Sequence, residues 1–92
     1  MRQAARRDSN EGEIVRALEA VGCSVTRLSQ KGVPDLLVGY EDTLSGLRTT
    51  TLIEVKELKG KLTPDQETWI NEWRGEVYVV RTVEEALEAV GR

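Results

Sequence analysis

The sequence predicts a mixed α/β fold, in which a single sheet of parallel and antiparallel strands is flanked by helices. Three observations predict it: helical spacing of apolar residues near the N-terminus, strand-like segments in the middle, and a well-delimited helix before the last strand. The expected element order is α-β-β-β-α-β-α. Short connections favour hairpins between the first strands, whereas the helical crossover places the last strand parallel to the long one.

The first helix is predicted to begin at Glu11, because apolar residues recur at helical spacing as far as Val21. Asn10 is placed to cap this helix, Glu13 occupies the capping-box position, and Gly22 is a natural end. The apolar stripe of the helix should therefore pack on the sheet.

Three strand-like segments follow the first helix: CSVTRLS, DLLVGY and LRTTTLIEVKE, the last with three consecutive threonines that favour β structure. The segment EDTLSG, residues 41–46, is typical of a hairpin loop. With that loop, Asp35 would lie opposite residues 51–52. A bulge or a longer overhang would then bring Asp35 within reach of Glu54.

The second helix is the most clearly delimited element. Thr63 is the predicted N-cap, Pro64 takes the first helical position, Gln66 completes a capping box, and Gly75 ends the helix. One stripe of this helix carries Gln66, Trp69, Ile70 and Trp73. We interpret the two tryptophans as core or dimer contacts rather than base-stacking residues. After the strand EVYVVR, a further capping box is predicted at the start of the last helix, formed by Thr82 and Glu85.

Composition excludes several classes of site. The 92 residues contain no histidine, which rules out Cys/His zinc sites, Ser-His-Asp triads and histidine general bases. A catalytic metal would need oxygen ligands, which favours Mg²⁺ or Mn²⁺. The net charge of −3 is unusual for a nucleic-acid-binding protein, but the acidic excess lies in the C-terminal third.

Length and composition also predict the organisation of the chain. We expect one domain over residues 1–92, with residues 1–9 as a flexible basic arm carrying Arg2, Arg6 and Arg7. The single cysteine, Cys23, excludes an internal disulfide and fits a reducing compartment. No apolar run approaches a membrane span, so a cytoplasmic location is predicted.

Asp35, Glu54 and Lys56 form the candidate catalytic group. Glu54 and Lys56 share one face of the long strand, and Asp35 opens the neighbouring strand. Two carboxylates and a carbonyl such as that of Val55 can hold Mg²⁺, and a nearby lysine can stabilise charge that develops on a phosphate. Glu11, at the start of the first helix, should project towards the sheet. This set suits phosphodiester hydrolysis.

Each of these residues also has a structural alternative. Glu54 and Lys56 could form an exposed cross-strand ion pair, and Asp35 could be a turn residue. Glu11 could favour the helix N-terminus through the dipole, while Gln66 could serve only as a capping partner. Three lysines flanking the proposed site are either solvated charges or phosphate contacts to DNA: Lys31, Lys59 and Lys61.

Pro34-Asp35, followed by Glu54-Val55-Lys56, resembles the signature of PD-(D/E)xK nucleases. The longer segments GVPDLLVG, IEVKELKGKLTPDQ and WINEWRGEVYVVRTVEEAL resemble the VRR-NUC branch, from about Glu11 to Val90. That resemblance implies a restriction-endonuclease-like α-β-β-β-α-β core, to which this sequence adds a C-terminal helix. Both motifs occur in order and in the matching elements, and LTPDQ follows them.

The resemblance implies a Mg²⁺- or Mn²⁺-dependent endonuclease that acts on DNA. Small members of the family are similar to Holliday-junction resolvases, which implies branched DNA as substrate and a homodimer. The metal ligands that it implies are Asp35, Glu54 and the Val55 carbonyl. It also implies Lys56 as the catalytic lysine and Gln66 as a further catalytic residue on the following helix. Glu11 matches the family's helix-1 glutamate, a further candidate metal ligand, and Glu13 is the competing match.

Two other functions remain open from the sequence. A catalytically silent module could bind DNA ends or junctions, although the intact set of acids and lysine argues against it. A small interaction protein could bind a basic partner through its acidic C-terminal third, which would leave Asp35, Glu54 and Lys56 unexplained.

Overall fold

The computed structural model describes residues 8–92, so Arg2, Arg6 and Arg7 of the predicted arm lie outside the described residues. In chain order the elements are α1 (Glu11–Ala20), β1 (Ser24–Arg27), β2 (Leu36–Glu41), β3 (Arg48–Val55), α2 (Pro64–Glu72), β4 (Val77–Val80) and α3 (Val83–Ala89). None of the helices in this part of the chain is both long and apolar enough to cross a membrane.

The strands of residues 8–92 form one mixed sheet in the order β1-β2-β3-β4. Antiparallel pairing joins β1 to β2 and β2 to β3, whereas β3 and β4 are parallel. Helix α2 provides the crossover that parallel pairing requires. The predicted fold class and element order are therefore confirmed.

The register of β2 against β3 differs from the predicted one. Leu36 pairs with Ile53 and Glu41 pairs with Arg48, so the connecting loop spans residues 42–47 rather than 41–46. Asp42 closes this loop, because its Oδ2 accepts 2.8 Å hydrogen bonds from both the amide and the hydroxyl of Ser45. Moving the loop centre along the chain shifts every opposed pair. The β2 end that carries Asp35 consequently meets Glu54 without a bulge.

One face of the sheet carries the main hydrophobic core, on which α1 and α3 pack. Its buried residues are Ile14, Val15, Leu18, Cys23, Leu36, Val38, Ile53, Val55, Val80, Ala86 and Val90. We call this face the core face. The last residues of β3, from Thr51 to Val55, are buried on both faces of the sheet. The structural alternative of an exposed ion pair between Glu54 and Lys56 is therefore wrong, since both side chains are largely covered.

The opposite face, which we call the α2 face, is covered only in part. No residue of α2 is buried, although Trp69 and Trp73 stack on one another with ring centroids 4.7 Å apart. Leu37 is 39% exposed and Trp73 is 47% exposed. An apolar groove of about 440 Å³ runs between this helix and the sheet, lined in part by Leu37, Leu52, Trp69 and Trp73.

The helix ends follow the sequence in some cases and not in others. The capping box of Thr63 and Gln66 is complete, and Gly22 ends α1 with a φ of 97° that suits glycine. Thr82 accepts from the Glu85 amide, but the Glu85 carboxylate accepts from Arg81 instead of the N-cap amide. Asn10 gives α1 no side-chain cap, so that prediction is wrong.

Candidate active site

Asp35, which directly precedes β2, meets Glu54 near the end of β3 on the α2 face. The Asp35 Oδ2 accepts a 2.8 Å hydrogen bond from the Val55 amide, which fixes the aspartate against β3. Glu54 is only 1% exposed, and the neighbours that contact it are Lys56, Gln66 and Asp35. The two carboxyl groups that the sequence singled out are thus brought together by the observed register.

Glu54 uses one of its carboxylate oxygens for two neighbours. Its Oε2 accepts a 3.1 Å hydrogen bond from Gln66 Nε2 and lies 3.6 Å from Lys56 Nζ. Its Oε1 is buried and has no hydrogen-bond partner among residues 8–92. Gln66 is held in turn by Thr63, whose amide donates to Gln66 Oε1 over 2.9 Å. Glu54, Lys56 and Gln66 therefore form one contact group with Asp35.

Burial and the neighbouring Asp35 carboxylate raise the pKa of Glu54 from its usual 4.5 to about 7, against the lowering effect of Lys56. Desolvation disfavours the charged carboxylate, and a second carboxylate adds like-charge repulsion. A strongly raised carboxyl pKa next to a lysine is typical of functional sites. Near neutral pH, a bound proton or cation would relieve the repulsion between the carboxylates of Asp35 and Glu54.

The donors in this group fit a divalent metal ion that prefers oxygen ligands. The buried Oε1 of Glu54 is an acceptor that a cation would satisfy, and Asp35 supplies a second carboxylate beside it. Across residues 8–92 no three His, Cys, Asp or Glu side chains come together. The side-chain ligands available for a metal ion at this site are therefore two carboxylates. Mg²⁺ suits such a site, since it keeps several waters and needs only one or two carboxylates.

Glu11 is placed apart from that group. It is buried, and its Oε2 forms a 2.9 Å ion pair with Arg27 Nε at the end of β1. Because the described residues hold no cluster of three acids, the structure does not bring Glu11 together with Asp35 and Glu54. The competing Glu13 is exposed on α1. A metal-binding role for either glutamate stays a prediction.

A pocket of about 210 Å³ opens beside the site. It lies between the β1–β2 loop and the start of α2, and Asp35, Thr63 and Gln66 contribute to its wall. Lys31 stands at its rim, exposed, with Nζ 3.3 Å from Asp65 Oδ2. Lys59 and Lys61 are exposed in the segment between β3 and α2. All three predicted DNA-contact lysines thus lie on segments that adjoin the site.

Sequence reasoning missed two contacts at this edge of the molecule. Arg27 was not linked to Glu11, and Asn10 was interpreted as a helix cap. In the structure Asn10 Nδ2 donates instead to the carbonyls of Lys56 and Arg81. Both contacts join segments that are distant along the chain, so no local spacing could have indicated them.

The four-stranded mixed sheet, the flanking helices and the pairing of Asp35 with Glu54 define a restriction-endonuclease-like domain of nuclease type. The family model described as VRR-NUC domain matches residues 6–84. A solved structure titled VRR_NUC domain is 26% identical, covers 92% of this chain and 100% of its own, and superposes with a TM-score of 0.64. No curated protein matches the sequence. The chain belongs to the VRR-NUC family.

Proposed function

We propose that the chain is a Mg²⁺- or Mn²⁺-dependent endodeoxyribonuclease that hydrolyses phosphodiester bonds, with branched DNA such as Holliday junctions as its substrate. The observation that carries the proposal is the contact group that Asp35, Lys56 and Gln66 form around the buried Glu54. Membership of a nuclease family supports the reaction type. The substrate structure rests on the resemblance to junction resolvases.

In this proposal Asp35, Glu54 and the Val55 carbonyl hold the metal ion. The ion supplies charge stabilisation for the phosphoryl oxygens and lowers the pKa of bound water. Lys56 lies beside the Glu54 carboxylate and provides an ammonium group for the negative charge that develops on the scissile phosphate. Gln66 orients Glu54 through its amide, and the burial of Glu54 keeps bulk water from screening its charge.

Lys31, at the rim of the pocket, and Lys59 and Lys61, between β3 and α2, are proposed to contact DNA phosphates. Their exposure leaves the ammonium groups available, and the Lys31–Asp65 pair is a weak surface contact that a phosphate can replace. Contacts of this kind position the DNA without reading its sequence. They suit an enzyme that selects DNA by its branched shape.

A homodimer is the proposed assembly. A four-way junction presents two strands related by twofold symmetry, and a twofold dimer presents two active sites related in the same way. The partly exposed Leu37 and Trp73 on the α2 face, beside an apolar groove, supply a surface whose burial would stabilise such a dimer. The groove adjoins the active site through α2.

The test is a cleavage assay on three labelled substrates: a four-way junction, a flap and a linear duplex. Each is incubated in EDTA, Mg²⁺ or Mn²⁺ with the wild type and with the near-isosteric variants Glu54→Gln and Lys56→Met. Glu19→Gln, which changes an exposed acid of α1, is the matched control. We expect metal-dependent cleavage that favours the junction, and losses on the order of 100- to 1,000-fold in the two site variants.

The outcomes separate the candidate functions. If the wild type cleaves none of the substrates, the enzyme proposal is wrong. Tight binding without cleavage would then favour the silent DNA-binding module. Cleavage that persists in both site variants would overturn the residue assignment, while equal cleavage of junction and duplex would overturn only the preference for branched DNA.

Sedimentation velocity tests the assembly. We expect a dimer for the wild type and a shift towards monomer for Trp73→Lys, which places a charge on the α2 face. Arg74→Lys, at the neighbouring exposed position, should leave the oligomeric state unchanged. A monomeric wild type at micromolar concentration would contradict the dimer.

A further inference from the structure

Asn10 occupies the N-cap position of α1 but makes none of the bonds that favour asparagine there. Asparagine is preferred at N-caps because its side-chain oxygen accepts from the first helical amides. Here no such bond forms, and the Oδ1 is buried without a hydrogen-bond partner in the described part of the chain. An unsatisfied buried acceptor costs free energy. The contact that Asn10 makes instead must account for its orientation.

That contact joins the ends of two strands. Asn10 Nδ2 donates over 3.1 Å to the carbonyl of Lys56 and over 3.0 Å to the carbonyl of Arg81. Both residues directly follow the last parallel pair of β3 and β4, Val55 with Val80. Because both acceptors are carbonyl oxygens, only the amide nitrogen can face them. Asn10 therefore fixes the main chain at Lys56, the lysine of the candidate active site.

Arg81 holds the same segment from its other end. Its Nη2 donates over 2.8 Å to the carbonyl of Gly60, which closes the turn after Lys56. Within that turn the Gly60 amide bonds to the Glu57 carbonyl over 2.9 Å. The five residues from Lys56 to Gly60 are thus tied at their start by Asn10 and at their end by Arg81.

We propose that Asn10 and Arg81 form a strand-end clamp whose role is to position the Lys56 ammonium for the cleavage step, an inference that rests on the proposed nuclease function. The lysine side chain is a flexible four-carbon chain, so the location of its ammonium depends on a fixed backbone. Misplacement of a catalytic group by about 1 Å can cost about 100-fold in rate. Both clamp residues bind main-chain atoms, so they are positioning residues rather than catalytic ones.

Steady-state cleavage of the junction in Mg²⁺ tests the clamp in two variants. Asn10→Ser keeps a good N-cap residue but removes the two amide donors, and Arg81→Lys keeps the charge but removes the planar guanidinium. We expect kcat to fall about 10- to 100-fold in each, with KM for DNA within about twofold of wild type. The controls Glu19→Gln and Arg74→Lys should match the wild type.

The split between kcat and KM distinguishes positioning from DNA binding. If Arg81 served as a phosphate contact, Arg81→Lys would raise KM for DNA because lysine lacks the planar guanidinium, whereas Asn10→Ser would not. A rise in KM with unchanged kcat would therefore overturn the clamp. Far-UV circular dichroism and the melting temperature establish that each variant is folded under the assay conditions. If Asn10→Ser fails to fold, Arg81→Lys decides the outcome.

A second measurement does not depend on activity. Reductive methylation in EDTA, followed by mass spectrometry of peptides, gives the reaction rate of each lysine amine. Only about a tenth of the Lys56 side chain is exposed in the structure. We expect Asn10→Ser to speed the labelling of Lys56 severalfold and to leave the exposed Lys59 unchanged.

The two measurements together separate failure of the clamp from failure of the proposed function. A wild type that cleaves no DNA in either metal contradicts the nuclease, yet the labelling comparison still reports whether Asn10 holds Lys56. If both variants keep wild-type kcat and wild-type labelling of Lys56, the clamp is wrong.

Discussion

The two faces of the sheet are built differently. On the core face, α1 and α3 bury a continuous set of aliphatic side chains that includes Ile53 and Val55. On the α2 face, the alternate residues of the same strand are Leu52 and Glu54, and the covering helix has no buried residue. One strand therefore contributes to the stability of the fold with one side and to the candidate site with the other.

This difference shows where the chain accepts unfavourable electrostatics. The core face is mainly apolar, and its buried acid Glu11 is paired with Arg27, whereas the α2 face holds a buried carboxyl, Glu54, with a raised pKa. Such groups destabilise a fold and persist where function requires them. Substitutions on the core face should therefore lower stability, while substitutions near Glu54 should lower activity and can even raise stability.

The largest expected effect on stability is on the core face. Ile53→Ala should lower the free energy of unfolding by about 3–4 kcal/mol, because it removes a fully buried side chain and leaves a cavity. Leu37→Ala, on the α2 face, should cost about 1 kcal/mol or less since that side chain is 39% exposed. Urea unfolding in EDTA measures both. Equal losses would contradict the division between the faces.

A pH-dependent effect should come from Glu54. Because its pKa is raised from 4.5 to about 7 in the folded state, the protonated carboxyl stabilises the fold below pH 4.5. This contribution is lost as the pH rises to about 7. In EDTA the Glu54→Gln variant should thus gain up to about 3 kcal/mol over wild type at pH 8 and little at pH 4.5.

Mg²⁺ provides a second test of the role of Glu54. It should stabilise the wild type more at pH 8 than at pH 5, because binding must displace the proton at lower pH. It should leave Glu54→Gln nearly unaffected. Thermal melts with and without Mg²⁺ at the two pH values measure this difference. Stabilisation by Mg²⁺ that is independent of both pH and Glu54 would place the ion elsewhere.

The smallest expected effect concerns Gln66, which links α2 to the site. Gln66→Ala removes both its bond to Glu54 and its half of the capping box. Because Gln66 orients a carboxylate that is proposed to bind the metal ion, we expect about 10- to 100-fold lower cleavage, and a stability loss of about 1 kcal/mol. Glu67→Ala, at the next position of the helix, is the control. A loss of stability with unchanged cleavage would reduce Gln66 to a capping residue.

Local sequence signals predicted the elements whose ends depend on neighbouring residues. The Thr63-Pro64 start of α2 is specified within four residues, and the order of strands follows from short connections and one crossover. The register of β2 against β3 was not predictable in the same way. It depends on Asp42 bonding to Ser45, and several placements of that loop satisfy the apolar pattern equally well.

The candidate site was predictable where it lies along two strands and not where it spans distant segments. Asp35, Glu54 and Lys56 were indicated by face and order, and the structure groups them. The ion pair of Glu11 with Arg27 and the contacts of Asn10 with Lys56 depend on how α1 docks. No periodicity in the sequence encodes that docking, so neither the Arg27 partner of Glu11 nor the strand-end contacts of Asn10 could be predicted.

The capping box of α2 has a consequence for local unfolding. The same Gln66 side chain closes the first helical turn and holds the Glu54 carboxylate, so opening of that turn removes a partner from the site. Helix α2 has no buried residue to oppose such opening, and segments of this kind exchange their amide hydrogens early. Hydrogen exchange at the amides of Gln66 and Glu67, which bond to Thr63, would report the fraction of molecules with an assembled site.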